Sequence, residues 1–424
     1  MSQSIQAIRG FNDELPLQTE LLRKLEQTLI DATKQYGYQE IRLPLVEKTE
    51  LFSRSIGQAT DIVHKEMYQF EDRNGQSIAL RPEGTVGCVR LALQHQLLDN
   101  HATQRLWSLG PMFRYERPQK GRTRQFNQFS AEALGMPFGA IDCELQLLIK
   151  HLFKSLDLSL ELQINWLGQR DDRQKYHQIL QGYFERYQDD LSEEERIRLK
   201  HNPLRLLDSK NPSIQLICND APKLIDCMNS DQQALFEQYQ EQLVSCKIPY
   251  HINERLVRGL DYYSGPVFEW VTSSLGSQGT VCAGGRYDSL IEDLGGKPNF
   301  AAGFSIGMER LALLYSTKHT YTPKNVDIYI ISLGIPASTV CLQLSEILHQ
   351  KLNNLTTWLS ASEDASLKSQ LKKADKSKAD WVFIIGDDEV TSQTYTLKHL
   401  RHRDLVFQGN IDACIQHIRE YQGS

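Results

Sequence analysis

Eight cysteines, at 88, 143, 218, 227, 246, 282, 341 and 414, are scattered along the chain without one C-x-x-C pair. That spacing argues against a zinc site or a disulfide framework and fits reduced thiols, most of them small core residues, in a cytoplasmic protein. No stretch reaches the roughly 20 apolar residues of a membrane span. The opening "MSQSIQAIRGFNDELP" lacks a basic start followed by an apolar block, so no signal peptide is expected. H-E-x-x-H, the Walker A loop and G-x-G-x-x-G are all missing, so any nucleotide is held without the common signatures. Internal repeats and low-complexity tracts are missing too. The net charge of −6 does not mark a nucleic-acid binder, although local basic stretches can still hold phosphates.

What is present points to a folded enzyme. The chain has 424 residues and 40% hydrophobic content, enough for two or three domains with their own cores. Leu21, Leu22, Leu25, Leu29 and Ile30 recur at helical spacing and predict an amphipathic helix over 17–36. "YQEIRLPLVE" reads as a strand interrupted by Pro44. "EMYQFEDRNGQSIALR" reads as a hairpin with a type I′ turn at Asn74-Gly75. "QRLWSLGPMFRYER" and "QFNQFSAEALG" read as two strands joined by the loop "RPQKGRTRQ", which has four basic residues and no acid. Residues 168–250 are polar, helical in pattern and poor in strand signal, which predicts an inserted helical domain. Strands return at "VFEWVT" and "QGTVCAGG". After a polar linker at 316–325, strands alternate with helices to the end, predicting a compact α/β domain over 326–424. The catalytic part would then be split between 1–167 and 251–320.

Several residues suggest chemistry. Two apart in "FRYE", Arg114 and Glu116 share a strand face. Phe126, Gln128, Ser130 and Glu132 share another. Such a face is either solvated or lines a polar pocket; the arginine-rich loop joining the two strands favours the pocket. "LRPEGT" places Glu83 and Thr85 at a helix start, where a carboxylate is commonly only a capping contact. "GFSIGMER" matches the G-x-S-x-G nucleophile elbow around Ser305, but its Gly307 also opens a helix whose first turn carries Glu309 and Arg310, a sound place for polyphosphate. "AGGRYD" looks like a tight turn that lets a backbone approach a ligand. In "RLVRGLDYYSGPVFEW", Arg258, Tyr262 and Tyr263 are held between glycines. His399 and His402 read as an exposed basic edge, and "SLKSQLKKADKSK" as a solvated basic helix face with five lysines against one aspartate.

Taken together, these segments resemble a class II aminoacyl-tRNA synthetase, and within that class a histidyl-tRNA synthetase. "IRLPLVEKTELF" is similar to the class's first motif, "MFRYERPQKGRTRQFNQF" to its second and "GFSIGMERL" to its third. "LVRGLDYYSG" and "AGGRYD" resemble the two motifs peculiar to the histidine enzymes. The family pattern near 125 is R-Q-F-H-Q, and this chain departs from it at Asn127.

The resemblance implies an α+β catalytic core on an antiparallel sheet, with a helical insertion and a C-terminal α/β anticodon-binding domain. It implies activation of L-histidine with ATP, accompanied by Mg²⁺, followed by transfer of the histidyl group to the 3′-terminal ribose of tRNA(His). A carboxylate attacking a phosphate brings two anions together, so such a site needs fixed cations. By resemblance, Arg114 and Arg258 flank the α-phosphate, Arg310 takes the γ-phosphate, Phe126 stacks on adenine and Glu116 completes the ATP site. Glu83, Thr85 and Gln128 accept from the ammonium, and Glu132, Tyr263 and Tyr287 partner the imidazole nitrogens. Leaving such a polar pocket unpaired discriminates by roughly 10⁴–10⁵-fold, without an editing site. Arg117, Lys120, Arg122 and Arg124 would meet the tRNA acceptor end, and the lysine-rich C-terminal domain its anticodon side. No protein-held metal is expected. A homodimer in the cytoplasm, away from membranes, completes the expectation. The alternative is a non-catalytic, synthetase-like regulatory subunit of the first enzyme of histidine biosynthesis.

Overall fold

The computed structural model describes residues 5–57, 60, 62–201, 203–207, 209, 211–321, 326–360, 365–402 and 404–422. It divides into two compact units, Met1–Tyr321 and Thr322–Ser424. Residues 322–325 of the expected linker lie outside the described residues.

The first unit is built on an eight-stranded sheet. Its strands are β1 (Gln39–Glu40), β2 (Gln104–Phe113), β3 (Gln125–Leu134), β4 (Glu161–Trp166), β5 (Tyr250–Ile252), β6 (Ser264–Val271), β7 (Thr280–Arg286) and β8 (Ala301–Gly307). They lie in the order β1-β2-β3-β8-β7-β6-β4-β5, antiparallel at every pairing except the two outermost. Strand periodicity sorts β3 into two faces. Phe129, Ala131 and Ala133 are fully buried on one, where Phe129 stacks on Trp107 at 5.6 Å between centroids; Phe126, Gln128, Ser130 and Glu132 occupy the other. The helix Pro16–Gln35 buries Leu21, Leu22, Leu25 and Leu29, the stripe its spacing predicts.

The elements from Arg170 to Ser245 are helices, and their buried residues Tyr176, Leu180, Phe184 and Phe236 belong to the same apolar cluster as the sheet. Pro44 divides its segment: Gln39–Glu40 joins the large sheet, whereas Val46–Lys48 pairs with Ser77–Leu80 in a separate three-stranded sheet. Arg81 secures the break by donating to the carbonyls of Leu43 (2.9 Å) and Pro111 (2.9 Å). The hairpin at Asn74-Gly75 exists, but its turn is not type I′. Only Gly75 of that pair takes a positive φ (76°), and Asp72 Oδ1 closes the loop by accepting from the amides of Asn74 and Gln76.

In the second unit, the five-stranded sheet runs Thr357–Leu359, Ile328–Ser332, Trp381–Ile385, Tyr395–His399, Val406–Gly409. The first three strands are parallel and the last two antiparallel, with helices Ile335–Lys351, Leu367–Lys376 and Ile411–Gln422. His399 is not part of an exposed edge. It is 3% exposed, packs against Trp381 and Tyr421, and its Nδ1 accepts from the amides of Arg401 (3.1 Å) and His402 (3.0 Å). The ring closes a backbone turn that the sequence pattern does not show.

One buried ion pair ties the large sheet to the helix Ala140–Ser155. Arg286, at the end of β7, meets Asp142 through Nε (3.0 Å) and Nη2 (2.8 Å), and both residues are buried. Removing the cation would strand a buried carboxylate. Arg286→Ala should therefore lower unfolding stability by about 3–5 kcal/mol, read by urea denaturation; a loss below about 1 kcal/mol would contradict the assignment.

Candidate active site

A cavity of about 260 Å³ opens on the polar face of β3, bordered by β6, β7, β8 and two loops. Ten residues to which the resemblance gives a binding or catalytic role line it: Glu83, Thr85, Arg114, Glu116, Arg122, Phe126, Gln128, Arg258, Tyr263 and Arg310. Glu132 and Tyr287 stand behind this wall, Glu132 bonded to Thr85 and Tyr287 packed against Tyr262 and Tyr263.

At one end the groups are acceptors and hydroxyls. Glu132 is 2% exposed; it accepts from Thr85 Oγ1 (2.8 Å) and from the Tyr287 hydroxyl. Its carboxylate has room because residue 303, opposite it on β8, is glycine: a Cβ there would lie 1.8 Å from Glu132 Oε2. Burial, abetted by nearby Glu83 and opposed by the two hydroxyls, pushes Glu132 up to about 8. Glu83 caps the helix Thr85–Gln94, accepting the amides of Thr85 and Val86 at 2.8 Å each, and Tyr262 donates to it at 3.3 Å. Its capping contact and its place in the cavity wall coexist. Burial raises its pKa against those amide bonds. Gln128 Nε2 donates to Ser130 Oγ (3.1 Å), and Tyr262, Tyr263 and Tyr287 pack together with centroids 4.8–6.1 Å apart.

At the other end the groups are cationic. Arg310, in the first turn of the helix Met308–Lys318, donates to the Thr280 carbonyl at 2.7 Å. Burial lowers its pKa, and the neighbouring charges of Arg122 and Arg114 lower it further. Arg258 pairs with Glu269, while its buried Nε has no hydrogen-bond partner among the described residues. Although burial opposes its charge, Tyr263 and Glu269 raise its pKa. The Arg114 guanidinium lies 5.3 Å from the Phe126 ring centre, and Arg122 pairs with Glu116 at 3.0 Å.

The geometry revises several sequence expectations. β2 ends at Phe113, so Arg114 and Glu116 share no strand face. They come together in the loop, where Arg114 Nε donates to the Pro82 carbonyl and its Nη1 lies 4.0 Å from Glu116. "AGGRYD" is no tight turn: it lies largely in β7, and its glycines admit neighbouring protein, since a Cβ at Gly284 would lie 2.2 Å from the Gly303 carbonyl. Among the described residues the Ser305 side chain hydrogen-bonds only another hydroxyl, Ser130 Oγ at 3.0 Å, which supplies no base for a nucleophile elbow. Of the loop cations, Arg122 lines the cavity; Arg117 and Lys120 are exposed, and Arg124 lies 3.7 Å over the Tyr115 ring. Asn127 donates to Glu309 from its amide (2.7 Å) and its side chain (3.2 Å). The sequence reading assigned no role to Tyr262, Glu269 or Thr280, all of which line the cavity. A carboxylate inside the apolar run "PVFEWV" was the available signal for Glu269.

An antiparallel sheet bearing this arginine-lined cavity, with a strand–loop–strand at one side and a strand–helix at the other, is the arrangement that the resemblance to class II aminoacyl-tRNA synthetases implies. The family model described as histidyl-tRNA synthetase matches residues 10–168 and 215–311, and one described as an anticodon binding domain matches 327–421. A histidine–tRNA ligase of Legionella pneumophila (strain Lens) is 50% identical over 404 residues, 94% of each chain. One of Marinomonas sp. is 49% identical over 405 residues, 94% of this chain and 95% of the relative. The apo histidyl-tRNA synthetase of S. aureus superposes with a TM-score of 0.79 at 31% identity, covering 98% of this chain and 99% of that one. The chain belongs to the histidyl-tRNA synthetase family. A Bacillus halodurans C protein named ATP phosphoribosyltransferase regulatory subunit/histidyl-tRNA synthetase, 19% identical with a TM-score of 0.65 over 91% of this chain and 99% of that one, shares the fold.

Glu132 makes a pH signature. Its folded pKa, about 8, stands above the ordinary 4.5, so the folded state holds a proton that the unfolded state has already lost. Stability should fall as pH rises through that window, by up to about 1.4 kcal/mol per pH unit. Glu132→Gln removes the effect: urea midpoints at pH 5.5 and 7.5 should move in the variant's favour at the higher pH, and an unchanged difference would contradict the raised pKa.

Proposed function

We infer that the chain activates L-histidine with ATP to histidyl-adenylate and transfers the histidyl group to the 3′-terminal ribose of tRNA(His), releasing AMP and pyrophosphate. The observation that carries the residue assignments is the convergence of Arg114, Arg258 and Arg310, distant in sequence, on one cavity that also holds Phe126 and Gln128. The regulatory-subunit alternative is less well supported: the ligase relatives match across 94% of the chain, including its C-terminal unit.

In the first step a carboxylate oxygen of histidine bonds to the α-phosphorus, and the bond to the β-phosphate bridge breaks as pyrophosphate leaves. Two anions meet, and preorganised cations reduce the cost. We assign Arg114 and Arg258 to the α-phosphate; the unpartnered Arg258 Nε supports this. Arg310, flanked by Arg122, is assigned to the γ-phosphate. Phe126, already under the Arg114 guanidinium, would stack the adenine, and Glu116 would complete the nucleotide site. Mg²⁺ is assigned as the counter-ion that ATP brings with it, and it would neutralise the outgoing pyrophosphate.

Glu83, Thr85 and Gln128 are assigned to the ammonium, and Glu132, Tyr263 and Tyr287 to the imidazole. In the second step a ribose hydroxyl attacks the carbonyl carbon and AMP leaves. Arg117, Lys120, Arg122 and Arg124 are assigned to the acceptor end. Residues 326–424, with the exposed lysines 368, 372, 376 and 378, are assigned to the anticodon side. The proposed division is a catalytic core over 1–167 and 251–320 with a helical insertion over 168–250. A homodimer is supported by Leu45 and Val46 of the first motif, 43% and 40% exposed. No helix among the described residues is long and apolar enough to cross a membrane. We place the enzyme in the cytoplasm, where its eight free thiols stay reduced.

Histidine-dependent exchange of pyrophosphate into ATP tests the first step, and Arg258→Ala should slow it by at least about 10²-fold while the protein stays folded. A full-rate variant would refute the role of Arg258, and a wild type without exchange would refute the function. Binding of tRNA should weaken linearly in log[salt], with a slope of about −0.7 to −0.9 per phosphate neutralised. Salt-independent binding would contradict the basic contact surfaces.

A further inference from the structure

The loop that carries Arg258 and Tyr263 separates two cavities. Arg258, Leu260 and Tyr263 line both the site described above and a second cavity of about 530 Å³. Across the second cavity stand Arg170, Arg173, Gln174, His177 and Gln178, at helical spacings that put them on one face of the helix Arg170–Phe184. From that face, outside the catalytic sheet, Arg173 Nη1 donates to the backbone carbonyl of Tyr263.

The helix is a stiff platform for this contact. Its approach is paired to the sheet, with Leu167 N donating to the Gly265 carbonyl (2.7 Å) and Gly265 N to the Gly168 carbonyl (3.0 Å). Gly168 takes φ 63°, and a Cβ there would lie 2.9 Å from Asp172 Oδ2, the oxygen that accepts the Gln169 amide at the helix start. The loop has other anchors at other points. Asp261 N donates to the Ile56 carbonyl (3.1 Å), and Arg258 is held by Glu269. At Tyr263 the ring packs against Tyr262 and Tyr287, and Arg173 anchors the backbone carbonyl. A partly desolvated guanidinium donating to a carbonyl is stronger than a neutral donor.

We propose that Arg173 is a positioning residue for histidine recognition: by fixing the Tyr263 carbonyl it sets the Tyr263 ring against the amino-acid end of the active-site cavity. The proposal rests on the histidine-activating function inferred above. It predicts an uneven effect. Arg258 also lies 5.4 Å from the Tyr263 ring centre, but its ion pair with Glu269 is an anchor of its own, so loss of Arg173 falls mainly on histidine and much less on the nucleotide. Because Arg173 borders existing open space, shortening it enlarges a cavity already present instead of creating one in a packed core.

The test compares wild type, Arg173→Gln, Arg173→Lys and the cavity-wall control Gln178→Ala, measuring histidine binding by calorimetry and exchange kinetics on the same preparations. Arg173→Gln should raise Kd and KM for histidine about 10–100-fold, with KM for ATP and kcat within about threefold. Arg173→Lys, which retains a charged donor, should recover about tenfold of that loss, and Gln178→Ala should match wild type. Unmoved histidine binding, or equal losses for histidine and ATP together with a lower unfolding midpoint, would overturn the proposal and leave Arg173 a structural brace. Exchange absent in a wild type that binds histidine would overturn the functional reading alone, with the binding comparison still deciding Arg173.

Discussion

The site is organised around one buried carboxylate. Glu132 sits on a central strand, almost without exposure, and the hydroxyls of Thr85 and Tyr287 donate to it. An unpaired buried charge is too costly to persist, so either partners or a proton must satisfy it. The surroundings provide for both. Gly303 yields the volume, the helix beginning at Thr85 brings one hydroxyl, and Arg286, locked to Asp142, fixes the strand end from which Tyr287 projects. The antiparallel register that sets Glu132 opposite Gly303 is therefore what gives the buried carboxyl its room.

Charge is then distributed unequally along the cavity. Acceptors and hydroxyls gather around Glu83 and Glu132 and Arg122 neighbours Arg310, while Arg114, bonded to the Pro82 carbonyl, and Arg258, 5.4 Å from the Tyr263 ring centre, stand between the two groups. Arg310 feels the repulsion of its neighbours, and Glu116 only partly offsets it. The loop between β2 and β3 can lie over the helix Met308–Lys318 because residue 121 is glycine: it takes φ 74°, and a Cβ there would lie 2.8 Å from Leu313. Such polarity suits an amino acid lying beside a polyphosphate, with the reacting carboxylate at the border between the two ends.

Much of this was legible in the sequence because period and composition report local structure. The leucine stripe of the first helix, the two-faced pattern of β3 and the helical stretch after Gly168 all have that origin. What stayed hidden depends on contacts between distant segments. Periodicity could not reveal that β2 stops at Phe113: Arg114 N still donates to the Arg124 carbonyl in the strand register, but the next amide, Tyr115 N, turns away to the carbonyl of Glu66, a distant segment. The glycines of β7 looked like a ligand-facing turn but accommodate neighbouring strands. His399 looked basic and exposed because nothing local shows its ring turning inward to cap a backbone turn. Glu269 and Arg173 matter only through Arg258 and Tyr263, partners that the linear order does not pair with them.

If the amino-acid end works as described, the Glu132 carboxyl and the imidazole of bound histidine share one proton. Above pH 8 the empty carboxyl is largely ionised and free imidazole is neutral, so binding must draw that proton from solvent. Titration calorimetry of histidine at pH 8.5, in two buffers of different ionisation enthalpy, counts it. Wild type should take up a larger fraction of a proton than Glu132→Gln; equal uptake by the two proteins would contradict the account.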